Sequence, residues 1–304
     1  WPRRTTLGDV HANLLPKLRS TFVDDGLELA RHYTYSYCAP SRQSLLSGRQ
    51  PLHVNEENSV CGGIPRGMRT LGDVLRDAGY ATHWIGKWHA GFSDHSATPS
   101  ARGFTTSAGF YMKAHHHFSW CSYLGFEFAM KQHTSCRAAP SNRSIPLLDY
   151  FEGTSSTGDV AIGSANPLVA NHTYSTDLFQ QRALNILDAH DANASPLLLF
   201  LSLSATHKPY LAPSGHFQRA GLAHPTKYYK ECGWTKGTPV KCRHNHRKGY
   251  EAMAVGVDDM IGSLRDKLVA KGMWDSTLMI FASDNGGPIG PQASNIPLRG
   301  GKDT

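Results

Sequence analysis

The chain has 304 residues, enough for one large domain or one and a half of ordinary size, and its 40% hydrophobic and 18% charged content excludes a disordered polymer. No apolar run approaches roughly 18 residues, so no membrane span is encoded, and no internal repeat or low-complexity tract is present. A formal net charge of +7, with 17 histidines besides, suits an anionic ligand without naming one.

In chain order, the first informative stretch is Cys38 to Arg49, CAPSRQSLLSGR. Proline is favoured at the first helical position, so Pro40 is expected to open a short helix that Gly48 ends. Cys38 then lies at the helix N-terminus, where unpaired amides and the dipole favour negative charge, the environment of a reactive cysteine. Arg42 follows just inside the helix, placed to support an anion. On local sequence alone, a buried or disulfide-bonded cysteine beside a helix cap stays open as the alternative. Next comes a helix over Thr70–Ala78, with Leu71, Val74, Leu75 and Ala78 on one face and Gly79 as its stop. A strand over Tyr80–Ile85 runs into Gly86-Lys87-Trp88-His89. From about 92 to 170 the sequence is rich in His, Ser, Gly and Pro and poor in periodicity, which predicts a surface insertion; 210–249 reads the same way. A helix over Asp177–His190 is followed by a strand over Leu197–Leu203, which runs into Ala205-Thr206-His207-Lys208. A longer helix, Tyr250–Lys271, ends at Gly272, and a third strand, Thr277–Phe281, runs into Ser283-Asp284-Asn285-Gly286-Gly287.

Helices alternating with apolar strands predict an α/β architecture, a mostly parallel sheet sandwiched by helices. In such sheets ligands bind at the carboxyl ends of the strands. Three strands therefore deliver Lys87, His89, His207, Asp284 and Asn285 to one edge.

Cys121 with Cys136, and Cys232 with Cys242, are spaced like local disulfides, and sequons stand at Asn142, Asn171 and Asn193, the last weakened by Pro196. Together they point to the secretory pathway, either secretion or the lysosome. No signal peptide is present, and Trp1-Pro-Arg-Arg reads as a trimmed start. With Cys38 set apart and both pairs formed, Cys61 is left over. The run His115-His116-His117, and the set Cys232, Cys242, His244 and His246, are possible metal ligands; an incidental loop cluster and a disulfide are the plainer readings.

CAPSRQSLLSGR resembles the sulfatase signature, a Cys-x-Pro-Ser-Arg core followed by Leu46, Ser47, Gly48 and Arg49. GYATHWIGKWHAG, Gly79 to Gly91, is similar to the second signature. ATHKPY (Ala205 to Tyr210), SDNGG (Ser283 to Gly287) and PLRGGK (Pro297 to Lys302) resemble the remaining active-site segments, in the same order. The overall style is closest to the arylsulfatase B-like branch. The resemblance implies the alkaline-phosphatase-like sulfatase fold, with residues 1–304 forming the large N-terminal catalytic domain, incomplete at both ends.

It also implies a mechanism. A dedicated formylglycine-generating enzyme oxidises the cysteine, here Cys38, to formylglycine, whose hydrate attacks the sulfur of a sulfate ester and later expels sulfate. By motif position Arg42 supports the hydrate, Lys87 and Lys302 grip sulfate oxygens, His89 deprotonates the hydrate and His207 protonates the leaving oxygen. Asp284 and Asn285 become ligands of a calcium ion, with Cys38 in its modified form facing the same ion. The implied substrate is an aryl sulfate or a sulfated sugar; no nucleic-acid partner is implied.

The family also places an acidic pair on a first strand. Here the pattern joins only near Gly8-Asp9-Val10; Asp9 comes too late to be such a ligand, and Asp24-Asp25 falls at the end of the following helix. Weak calcium binding and doubtful turnover of the isolated chain follow as expectations. The rival readings are an inactive sulfatase-like chain that holds sulfated glycans, a phosphoryl-transfer relative from the wider superfamily, and a cysteine hydrolase. The intact Cys-x-Pro-Ser-Arg core argues against the phosphoryl-transfer reading, since Ser or Thr is the usual nucleophile there.

Overall fold

The computed structural model describes residues 13–29, 31–58, 62–115, 117, 118, 120, 149–162, 171, 173–223, 246–288, 293, 295 and 298–304. The chain divides into two compact units: Tyr33–Ser204 with Asp266–Asn285, and Trp1–His32 with Ala205–Arg265 and Gly286–Thr304.

The first of these units holds the sheet. Its elements are helix α1 (Cys38–Ser47), helix α2 (Leu71–Asp77), strands β1 (Ala81–Lys87), β2 (Thr106–Phe110), β3 (Phe151–Thr154) and β4 (Gly158–Ala161), helix α3 (Ser175–Ala189) and strand β5 (Leu197–Ser202). The order across the sheet is β4-β3-β2-β1-β5. β1 runs parallel to both β2 and β5, whereas the β2–β3 and β3–β4 pairs are antiparallel. The sheet is thus mixed, with its parallel half around β1. Part of the interval expected as a surface insertion belongs to this sheet, since β2, β3 and β4 all lie between residues 92 and 170. Short strands of glycine, serine and threonine carry little apolar periodicity, and that is why they read as loop.

Helix α1 begins at Cys38, two residues earlier than expected, with Pro40 inside its first turn. The position is tolerated because the first four amides of a helix have no intrahelical acceptor to lose. Gly48 ends it with φ +67. Helix α2 is closed by a capping box: Thr70 Oγ1 accepts from the Asp73 amide at 3.2 Å, and the Asp73 carboxylate accepts from the Thr70 amide at 2.9 Å. On the sheet, Leu46, Ile64, Trp84, Trp88, Phe104 and Tyr111 form a buried cluster, with Trp84 and Trp88 edge to face at 5.6 Å. His115 and His117 are buried as well. The His115 ring stacks on Trp120 at 5.2 Å, and His117 Nδ1 lies 2.9 Å from Ser175 Oγ. His115 and His117 thus pack within the aromatic core of the sheet unit, and His116 lies outside the described residues.

The segment expected as a third strand, Thr277–Phe281, forms no ladder among the described residues. Its apolar side chains face solvent, with Leu278 85% and Ile280 77% exposed. The residue pattern suits a strand, but a strand exists only where a neighbour accepts and donates its backbone hydrogen bonds.

The other unit contains helix α4 (Ser214–Arg219) and helix α5 (His246–Ala270), which runs on into the sheet unit by its last residues. Within it Gly249 and Gly256 let neighbours approach α5 closely: a Cβ would stand 2.3 Å from Tyr210 O and 2.6 Å from the His216 ring. Asp258 of α5 is fully buried and accepts from the Leu18 amide at 2.7 Å, capping the helical turn that starts at Pro16; burial holds its carboxyl above the usual carboxylate range. Asp24 and Asp25 pair with Arg19 and Arg265 on the surface.

Candidate active site

The site is built where β1 and β5 end. Ser202 of β5 pairs with Gly86 of β1, and Gly86 with Gly109 of β2. No side chain fits in the middle of that row. A Cβ on Gly86 would stand 2.1 Å from Ser202 O, and Gly86 has φ +113, a conformation only glycine takes without strain. Beyond it the chain continues through Lys87 and Trp88 to His89, a non-glycine residue at φ +48. The Trp88 and His89 amides are held by Phe110 O at 2.8 Å and Tyr111 O at 3.2 Å. Lys87 and His89 are both buried.

Helix α1 points its first turn at this edge. Cys38, 1% exposed and outside any disulfide, opens the helix, and Arg42 lies one turn on along the same face. The Arg42 guanidinium is buried and spends its donors on the strand ends. Nε donates to Trp88 O at 3.0 Å, Nη2 to Lys87 O and Ser202 Oγ, and Nη1 to Asp284 Oδ2 at 3.2 Å. Lys87 Nζ lies 3.9 Å from the same Asp284 oxygen. Arg42, Lys87 and Asp284 together sum to one positive charge in a largely dry setting, which favours an anion. Asn285 is buried beside Asp284, and the Ala39 amide in the first turn of α1 donates to Asn58 Oδ1 at 3.3 Å.

Six expected site residues, Cys38, Arg42, Lys87, His89, Asp284 and Asn285, thus fall in the sheet unit. His207 and Lys302 belong to the other unit. There His207 Nδ1 lies 2.8 Å from Lys208 O, and the Lys302 amide donates to Gly287 O at 3.0 Å. Ser202 and Asn58 escape a sequence reading. The one trace of Ser202 is a polar residue closing an otherwise apolar strand.

A calcium ion takes six to eight oxygen ligands. Among the described residues Asp284 and Asn285 offer two side chains, and the Asp284 carboxylate is already faced by Arg42 and Lys87. These residues do not by themselves fit a calcium ion. The first turn of α1, with Cys38 on it and Arg42 below, does fit an anionic group at position 38.

The whole chain, residues 1–304, matches the family model Sulfatase. The chain belongs to the sulfatase family. Arylsulfatase J of Mus musculus is 27% identical over 285 residues, covering 92% of this chain and 40% of that protein. The N-acetylgalactosamine-6-sulfatase of Mus musculus is 24% identical over 319 residues, covering 98% and 52%. This sulfatase chain therefore spans about half the length of the curated relatives it matches. Among solved structures, the PsFucS1 sulfatase from Pseudoalteromonas sp. superposes with a TM-score of 0.64 at 22% identity, over 95% of this chain and 53% of that one. Ps i-CgsB, solved in complex with k-i-k-neocarrahexaose, gives 0.62 at 24% identity, over 88% and 52%. The mixed sheet flanked by helices is the alkaline-phosphatase-like fold expected of a sulfatase. No helix among the described residues is long and apolar enough to cross a membrane.

Proposed function

We propose that this chain carries the catalytic site of a sulfuric ester hydrolase acting on an aryl sulfate or a sulfated sugar, with Cys38 as the position converted to formylglycine. The observation that carries the reading is the buried Arg42 clamp, which holds a cation one turn from Cys38 on the carboxyl edge of the sheet. When formed, the formylglycine hydrate supplies the hydroxyl nucleophile for the sulfur of the ester. The chain's own residues do the rest. The amides opening α1 and the Arg42 guanidinium stabilise negative charge at position 38. Lys87, buried at the end of β1, binds a sulfate oxygen. The His89 imidazole takes the proton from the position-38 hydroxyl during sulfate release. The roles of His207, proton donor to the leaving oxygen, and of Lys302, a second sulfate ligand, rest on their motif positions. Asp284 and Asn285 are the described side chains that would hold a calcium ion, with its further oxygen ligands coming from outside the described residues; when bound, the ion would stabilise negative charge at the reacting group.

Maturation requires the formylglycine-generating enzyme as a partner. Passage through the secretory pathway is supported by the exposed positions of Asn171 and Asn193; Asn142, Cys61 and the two cysteine pairs lie outside the described residues. Buried Arg42 and Lys87 would hold a sulfate group with or without turnover, which supports a second reading, a chain that holds sulfated glycans without turnover.

One preparation tests both. The chain is expressed in cells that carry the modifying enzyme, the tryptic peptide containing Cys38 is weighed, and hydrolysis of 4-nitrophenyl sulfate is followed. The expected result is the mass loss of thiol-to-aldehyde conversion together with hydrolysis that Cys38→Ala abolishes. An intact thiol at position 38 would sink the hydrolase reading, and conversion without hydrolysis would favour the glycan-holding one.

A further inference from the structure

Arg42 is the most heavily engaged side chain of the site, and one of its partners belongs to none of the motifs. Ser202 closes β5, is 6% exposed, and lies opposite Gly86 in the β1–β5 register. Its hydroxyl donates to Lys87 O at 2.7 Å and accepts from Arg42 Nη2. A hydroxyl carries one proton and two lone pairs, so both bonds form at once, and the first fixes which way the second faces. Lys87 O also accepts from Arg42 Nη2, so Ser202 Oγ and Lys87 O bracket one terminal nitrogen of the guanidinium. Nε on Trp88 O and Nη1 on Asp284 complete the plane.

The backbone acceptors come from strand ends whose register is already set by pairing. The Asp284 carboxylate sits at the half-exposed side of the site. Ser202 is therefore the buried side chain that, beside the backbone carbonyls of Lys87 and Trp88, holds the guanidinium in its plane. It also ties the carbonyl of Lys87, the residue next to the tight Gly86 row, to β5.

We propose that Ser202 is a positioning residue, which acts through Arg42 by locking its guanidinium in the orientation that serves an anion at position 38. The proposal rests on the hydrolase reading above. An alanine here keeps the strand pairing, which runs through the backbone, and removes the hydroxyl from both Arg42 and Lys87 O. Rotation of Arg42 becomes easier, and misorientation of a charged group near a reacting centre costs rate rather than affinity.

The test compares the full chain with Ser202→Ala and Ser202→Thr by two independent measurements. In nitrogen-15 NMR of the unmodified chain, the terminal NH2 protons of Arg42 should be resolved in wild type, exchange-averaged in Ser202→Ala and resolved again in Ser202→Thr. In the formylglycine form, Ser202→Ala should lower kcat on 4-nitrophenyl sulfate by about 10- to 100-fold, with KM within about threefold. The loss should not add to that of Arg42→Lys in the double variant, since Arg42→Lys already removes the interaction with Ser202 among those it breaks. Unchanged Arg42 signals in Ser202→Ala overturn the proposal whatever the activity. Loosened signals with unchanged kcat overturn it too, leaving Ser202 a strand fastener. A wild-type chain that turns over nothing, with Arg42 loosened in Ser202→Ala, defeats the hydrolase reading while the anchoring of Arg42 stands.

Discussion

Two stretches of the sheet unit have similar apolar content and opposite fates. Around the end of β1, Trp84, Ile85 and Trp88 are each 1% exposed, and nearly every backbone group from Ala81 to His89 has a partner on β2 or β5. In Thr277–Phe281, Leu278, Ile280 and Phe281 face solvent and no ladder forms among the described residues. The contrast shows that apolar β-branched sequence is permission for a strand, and that neighbours on both edges convert permission into burial. It also explains why the buried cations sit where they do. Only the fully paired edge supplies fixed carbonyls to hold Arg42, and only a fixed Arg42 is useful to an anion.

The largest effect should come from closing the tight row. Gly86→Ala places a Cβ against Ser202 O and forces a positive φ on alanine, which should cost about 3–5 kcal/mol. Denaturant unfolding should show the loss or a failure to fold, and a loss below about 1 kcal/mol would mean that the row is looser than described.

Asp149 comes next. It is fully buried, accepts from the Tyr111 and Met112 amides at 2.9 Å just past β2, and burial pushes its carboxyl up to about 7 while the two amides pull it down. A folded-state value above the unfolded one makes the group's contribution greatest below about pH 4 and progressively lost as pH rises to about 7. Relative to Asp149→Asn, wild type should therefore gain about 2–4 kcal/mol between pH 7 and pH 4. A flat difference between the two unfolding curves over that range would refute the burial argument.

Arg42→Lys keeps the charge and loses the planar fork, leaving buried acceptors on Trp88, Lys87 and Ser202 short of donors. Stability should fall by about 1–3 kcal/mol and turnover by about 100-fold or more. Equal turnover in the two proteins would place the reacting anion elsewhere.

The smallest effect belongs to the exposed stretch. Leu278→Ser should change stability by less than about 0.5 kcal/mol, because little apolar surface is buried there to lose. A loss above about 1 kcal/mol would show that Thr277–Phe281 is covered after all, and the contrast between the two stretches would narrow.

What the sequence determined by itself was local or carried by motif. The stop glycines Gly48, Gly79 and Gly272 adopt the positive φ their positions predict, and the cores of α2, α3, α5, β1 and β5 fall within a few residues of the periodic segments. Cys38, Arg42, Lys87, His89, Asp284 and Asn285 were legible because each lies inside a motif or at the end of an apolar run. The tertiary structure alone decided that glycine-rich stretches between 92 and 170 are strands, that Thr277–Phe281 forms no ladder among the described residues, that His115 and His117 are buried in the core, and that Ser202 holds Arg42. The reason is that helix stops and apolar periodicity depend on residues a few positions apart. Strand pairing and the orientation of a buried guanidinium depend on partners brought close across long separations: Arg42 meets Trp88, Ser202 and Asp284 only because two strand ends, the segment carrying Asp284 and a helix tip converge.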